Sequence, residues 1–325
     1  MGKRLPGVLM ALLAILGDVA TAEADCSSSC SSTACTCYAQ DLTSVPQDLP
    51  TTITDLKLYL NRISALSQSD FSRYVSLETL DLSDNRISAI NSQAFYHLSN
   101  LTDLDLHNNG LTTLRSDMFT GLGNLDWLSV YNNDMTDIQA GTFSLTPQLT
   151  YLDLHNNKLT SLRADMFTEL GNLQYLHVYY NDIADIQAGT FNPTPQLGWL
   201  FLHHNKLTNL RSDMFTGLGN AQYISLSFND ITDIQAGTFS PTPELRTLVL
   251  ENNKLTMLRA DMFTGLGNLG YISVSFNDIA DIQAGTFIPT PQLRDMSQGL
   301  QHNKLTTLGP GMFTGLGNLE TLSTQ

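Results

Sequence analysis

The chain has 325 residues, with 16 Lys plus Arg against 31 Asp plus Glu and a formal net charge of −15. This acid excess excludes a phosphate-backbone binder, which needs clustered Lys and Arg, so no nucleic-acid partner is expected. It favours solubility and partners that are neutral or basic where they dock.

The first residues read as an export signal. Lys3 and Arg4 precede an apolar run from Val8 to Leu16, and Ala20-Thr21-Ala22 and Ala22-Glu23-Ala24 both fit a small-x-small cleavage pattern. The apolar run is too short to cross a bilayer, which takes about 20 residues. Residues 1–24 are therefore expected to be a signal peptide, and no other membrane segment is expected. The mature chain then belongs outside the cell, secreted or on the extracellular face of the cell surface.

Residues 25–52 carry Cys26, Cys30, Cys35 and Cys37. An even, closely spaced set in an exported chain implies two disulfides tying a small cap. All three pairings of four cysteines stay open at this point. A four-thiolate zinc knot fits the count, but export argues against it.

Residues 53–325 repeat with a step of 24. Leu149-Thr-Tyr-Leu152-Asp-Leu154-His-Asn-Asn157-Lys-Leu159 has the form L-x-x-L-x-L-x-x-N-x-L. The same frame opens at Ile53, Leu77, Leu101, Leu125, Leu149, Leu173, Leu197, Ala221, Leu245, Leu269 and Leu293. A phenylalanine column from Phe71 to Phe287 and an asparagine column from Asn61 to Asn277 keep that step. Three columns in register define a repeat array of about eleven units plus a partial one.

The L-x-L alternation predicts a short strand with its leucines inward and the intervening residues outward. The asparagine amide can both donate to and accept from buried turn backbone. One repeat cannot bury its own apolar face, so stability belongs to the stack. Convex segments alternate over 48 residues between Arg163–Thr168 and Ile186–Phe191 types, and Pro193-Thr194-Pro195 forbids a regular helix in the second type. The expected class is α/β: a curved solenoid with a parallel concave sheet, mostly irregular or 3-10 convex segments, and an N-terminal disulfide cap.

Two places break the rule. Two extra residues lie between Leu293 and Leu305, so that Gln298 or Gly299 falls where a leucine belongs. A further repeat opens at Leu319 and stops at Gln325, which implies a missing C-terminal cap.

From Cys26 onward the chain resembles extracellular leucine-rich-repeat proteins. Cys37-Tyr-Ala-Gln-Asp-Leu42-Thr-Ser-Val-Pro46-Gln-Asp-Leu-Pro50 resembles the end of their N-terminal cysteine cap. Leu42-Thr-Ser-Val-Pro46, Leu101-Thr-Asp-Leu-Asp-Leu106 and Asn156-Asn157-Lys158-Leu159 are most similar to variable lymphocyte receptors of jawless vertebrates and related early-chordate immune receptors. Cys35 departs from that pattern by lying just before Cys37, and the family's cysteine-rich C-terminal cap is absent from the sequence. The resemblance implies recognition of antigen or microbial patterns on the concave face.

The third, fifth, seventh and eighth frame positions should face that side. They supply Asp81, Asp84, Asp103 and Asp105 early in the array. They then supply Trp127, Tyr131, Tyr151, Tyr175, Tyr179, Tyr180, Trp199, Phe201 and Tyr223, with His107, His155, His177, His203 and His204 among them. Exposed Tyr and Trp in a cluster point to a binding surface centred on Trp127 to Trp199. His155 and His203 lie two strands apart, about 10 Å, too far for one metal ion. Asp81 and Asp105 repel across neighbouring strands, which points to a basic partner or calcium.

No nucleophile-elbow, phosphate-loop or zinc-protease motif is present, and binding without catalysis, cofactor or resident metal is expected. Asn100 is the sole glycosylation sequon, because Asn192 precedes proline. The expected partner is a microbial glycan or protein antigen. The alternative is a host cell-surface protein bound by an adhesion, guidance or matrix module.

Overall fold

The computed structural model describes residues 26–323 apart from 298 and 308, and the signal peptide expected at 1–24 lies outside them. Thirteen short parallel strands form one sheet, in which each strand of the array pairs with the equivalent strand one repeat away. Tyr151–Asp153, for example, pairs with Trp127–Ser129 on one side and Tyr175–His177 on the other, Leu152 lying opposite Leu128 and Leu176. The strands are only two or three residues long because the frame supplies one L-x-L alternation before the asparagine turns the chain away.

The leucines, the phenylalanine column and the strand centres make one continuous core. Phe119 stacks on Phe143 at 6.2 Å and Phe167 on Phe191 at 6.5 Å, so the wedge behind the sheet is filled by a spine of rings. The asparagine ladder forms as its chemistry requires. Asn157 Nδ2 donates to the carbonyls of Val130 (3.2 Å), Leu154 (3.0 Å) and His155 (3.2 Å), while its Oδ1 accepts from Met135 N–H (3.0 Å). One buried amide thus satisfies four groups, two of them in the preceding repeat.

The convex side is built of turns, and the described residues contain no α-helix. It also carries pairs of two-residue strands that the sequence did not announce. Thr113–Leu114 pairs with Asp137–Ile138, Ser161–Leu162 with Asp185–Ile186, and Asn209–Leu210 with Asp233–Ile234. Each pair joins the two repeats of one 48-residue unit.

The cap resolves the open cysteine pairing as Cys26–Cys37 with Cys30–Cys35 nested inside it. Its strand Ala34–Thr36 pairs with Asp55–Lys57, so Cys35 lies on the sheet itself and the cap closes the first edge. Val45 and Leu49 are buried against the first repeat.

The irregular repeat after Leu293 is also resolved. Leu300, 1% exposed, fills the leucine slot that the spacing had assigned to Gln298 or Gly299. Val274 N–H bonds the Gly299 carbonyl at 2.8 Å, and Asn303 Oδ1 accepts from Ile279 N–H at 3.0 Å. The two extra residues are absorbed locally, and the ladder resumes at Asn303.

Candidate functional site: a concave surface of stacked rings

Strand alternation places the third and fifth frame positions on the face away from the leucines, and the turn that follows adds the seventh and eighth. The structure sorts the aromatics named above into columns. Trp127, Tyr151, Tyr175, Trp199 and Tyr223 hold equivalent positions on five consecutive strands. Trp127 stacks on Tyr151 at 5.6 Å, and Tyr175 on Trp199 at 4.6 Å. Tyr151 and Tyr175 are tilted at 6.1 Å.

The seventh-position column is more regular. His107, Tyr131, His155, Tyr179 and His203 stack face to face, with every centroid separation 4.3 Å. Beside it the eighth positions of three repeats form a third stack, Tyr180 on His204 at 4.1 Å and His204 on Phe228 at 4.2 Å. His177 and Phe201 lie between the columns and meet edge to face at 4.5 Å, and Phe201 tilts against Tyr223 at 5.0 Å.

The packing has two consequences. The first is that most of the stacked rings present edges rather than open faces, because the ring of the next repeat covers them. The second is that the fifth-position column sinks into the trough between them. Ser129 and Asp153 face the concave side, yet both are buried.

Asp153 was not among the candidate residues, although it shares a column with Asp81 and Asp105. Its Oδ1 accepts from His155 Nδ1 at 2.6 Å and its Oδ2 lies 3.5 Å from His177 Nδ1. Burial alone would raise its pKa, but these hydrogen bonds outweigh burial and hold it at about 2. Burial first, then Asp153, raises the Tyr151 hydroxyl well above its ordinary range, and the same order of causes takes Tyr179 up to about 12. His203 is driven down to about 4 by burial and by His204, His177 and His155 around it.

The eighth position carries a backbone signature as well. Asn108, Asn132, Asn156, Tyr180, His204, Phe228, Asn252 and Phe276 all have φ between 50° and 53°. Asparagine accepts the left-handed region readily, whereas bulky aromatics do so at a cost. Tyr180, Phe228 and Phe276 are nevertheless 50%, 46% and 48% exposed, so burial does not compensate that strain. Phe228 and Phe276 were missed in the sequence, though their register in the frame could have located them.

The acidic residues gather at the N-terminal end of the same face. Asp81 and Asp105 are in-register neighbours, as the spacing implied. Asp81 Oδ1 accepts from Ser83 Oγ at 2.6 Å, Asp103 Oδ2 from Thr102 Oγ at 2.6 Å, and Asp105 Oδ1 bonds His107 Nδ1 at 2.7 Å. Asp84 binds Asn108 Nδ2 at 2.8 Å. Burial would lower the His107 pKa, but Asp105, Asp84 and Asp81 together raise it. Among the described residues no group of His, Cys, Asp and Glu could hold a metal ion, so the calcium reading of this patch is withdrawn. Asn100 lies apart, exposed on the lateral edge, its amide donating to the Val75 carbonyl at 3.2 Å.

The family model for the leucine-rich repeat matches residues 51–111, 75–135, 99–159, 147–207, 195–255 and 243–297. The chain belongs to the leucine-rich-repeat family. No curated protein matches this chain. Among solved structures, it is similar to a leucine-rich-repeat protein of Leptospira interrogans, with 25% identity, a TM-score of 0.65, and coverage of 86% of this chain and 74% of that one. An internalin from Listeria monocytogenes shares 22% identity at a TM-score of 0.68, covering 89% and 79%. A chain in the Toll–Spatzle complex of Drosophila shares 24% identity at a TM-score of 0.75 over 83% of this chain and 36% of that chain. The last two likenesses speak to fold alone. The leucine-rich-repeat solenoid is a binding scaffold, and no helix among the described residues is long and apolar enough to cross a membrane.

Proposed function

We propose that this leucine-rich-repeat protein is a secreted or cell-surface recognition molecule that binds a protein antigen across its concave face, in an immune role. The supporting observation is the pair of ring columns spanning Trp127 to Trp199 and His107 to His203, flanked by the strained and exposed Tyr180 and Phe228. A broad aromatic surface with polar ring edges has the composition of a protein-binding hot spot.

Stacking also bears on the partner. Sugars pack on open ring faces, and here most faces are covered by the next ring, which favours protein over microbial glycan. The two disulfides suit an oxidising compartment. The likeness to variable lymphocyte receptors in the cap and strand motifs supports the immune role, and adhesion to a host cell-surface protein is the competing role for the same surface. Asn100 is proposed to carry a glycan on the lateral edge, clear of the rings.

The test is binding to a panel of microbial surface proteins, glycans, whole bacteria and host cell-surface proteins, beside a Tyr179→Ala/Trp199→Ala double variant. Binding to a microbial protein that is lost in the variant supports the proposal. Binding confined to host proteins moves the role to adhesion, and binding untouched by the double variant removes the concave face from the mechanism.

A further inference from the structure

Trp127 is the first ring of its column, at the N-terminal end. Its strand neighbour toward the C-terminus is Tyr151, which covers one face of the indole. Its neighbour toward the N-terminus is Asp103, which has no ring to cover the other. That side borders a cavity of about 240 Å³ lined by Lys57, Thr79, Leu80, Asp81, Asp103, Asp105 and Trp127.

Three aspartates and one indole thus line the same space, which is large enough to admit a side chain from a partner. Each is anchored through a single oxygen: Asp81 by Ser83, Asp103 by Thr102 and Asp105 by His107. The opposing cation, Lys57, is drawn toward Asp55, with Nζ 3.5 Å from Asp55 Oδ2. A buried polar group lies next to two of the lining residues. Ser129 follows Trp127 on the same face of the same strand and pairs with Asp105 across the sheet. Its hydroxyl is fully buried and has no hydrogen-bond partner. An orphaned buried hydroxyl is uncommon in a packed fold, and this one lies one strand from the Asp105 wall of the cavity.

We propose that this pocket takes the cationic head of a Lys or Arg side chain from the protein ligand, with the charge over the open face of Trp127 and its N–H groups on Asp81, Asp103 and Asp105. This rests on the reading of the concave face as a protein-binding surface and names the chemistry at its N-terminal end. An aromatic plane attracts a cation within about 6 Å of its centroid, most strongly when the plane is an indole. Carboxylates match the fork of a guanidinium, so arginine is the better occupant.

The sequence contains two tryptophans, Trp127 and Trp199, so a Trp199→Phe protein reports on the pocket alone by fluorescence. The probes are N-acetyl-arginine amide, the same compound with neutral citrulline in place of arginine, and methyl glucoside. A saturable change with the arginine compound and none with the other two is expected. Binding should weaken at least about fivefold in Asp103→Asn, which keeps side-chain volume, and should also weaken with added salt. Thermal melts of each variant check that the fold is kept. No saturable response to arginine, an equal response to citrulline, or a response to the glucoside alone overturns the proposal. Loss of the pocket response with the panel ligand still bound by the parent protein overturns this assignment and leaves the concave-face reading intact.

Discussion

The Arg163 guanidinium reaches into the preceding repeat, where Nη2 donates to the Ile138 carbonyl at 2.8 Å and Nη1 bonds Asp137 Oδ1 at 2.5 Å. Arg211 and Arg259 repeat this on Ile186 with Asp185 and on Ile234 with Asp233. These arginines stand where the convex strand pairs stop, between one 48-residue unit and the next. Within a unit, backbone ladders join the convex edge; between units, a side chain replaces them.

Arg163→Ala should therefore lower stability by about 1–2 kcal/mol, chiefly through the carbonyl left without its donor. The ion pair itself adds little, because both partners are partly exposed. Arg163→Lys should recover only part of the loss, since an ammonium cannot span carbonyl and carboxylate together. Urea titration checks both; equal stability of the Lys variant and the parent would remove the fork from the account.

Asn157→Leu should be among the most damaging single changes, at about 3 kcal/mol or more. The substitution strands the Met135 N–H and three carbonyls in an interior that water does not reach. A melting temperature within a degree or two of the parent would show that the ladder is dispensable.

Glu169→Gly should stabilise the protein by about 1 kcal/mol. Gly121, Gly217, Gly265 and Gly315 hold the equivalent turn at φ near 100°, whereas Glu169 holds it at 70°, in the left-handed region that costs a side chain about 1–2 kcal/mol. The reverse change fits the same account. A Cβ on Gly217 would approach the Phe191 carbonyl oxygen to 2.5 Å, so Gly217→Ala should destabilise. Denaturant midpoints for both variants give the two signs.

Acid sensitivity should be traceable to His203. Its folded pKa of about 4 lies below the ordinary 6.5, so the unfolded chain binds the extra proton between those values. Stability is then complete above about pH 6.5 and falls as pH drops toward 4, by about 2–3 kcal/mol at about 1.4 per unit. His203→Phe keeps the ring on Tyr179 and should flatten the stability profile over that window. Asp153 adds a lower window. Its depressed pKa contributes stability above the ordinary carboxylate value that is lost as pH falls toward about 2. His107, with a raised pKa, works in the opposite direction, losing its contribution as pH rises. An unchanged profile in His203→Phe would discard the assignment.

Much of the fold was legible because the frame residues each have one physical task. Leu152 and Leu154 had to point inward by alternation, Phe167 had to fill the wedge, and Asn157 had to satisfy turn backbone. The convex pairs such as Ser161–Leu162 with Asp185–Ile186 were not legible, because two-residue strands carry no periodicity. Leu300 was missed because a two-residue insertion shifts the count, although Leu300-Gln-His-Asn303-Lys-Leu305 keeps the second half of the frame. At the candidate site, alternation gave the side on which Tyr151 and Tyr179 stand. It could not show that their faces are covered, since that depends on ring orientation between repeats. Nor did it reveal Asp153 as the buried anchor of two histidines.

The arginine seams also bear on how such a chain can change length. Removing one 48-residue unit would bring Arg211 against Asp137, a junction chemically identical to those already present. Removing 24 residues would place two convex segments of the same kind side by side and leave a guanidinium without its carboxylate. A change of 48 residues therefore preserves the Arg–Asp seams, whereas a change of 24 yields a seam like that of Arg115, which bonds the Ile90 carbonyl with Ala89 where the other seams carry aspartate.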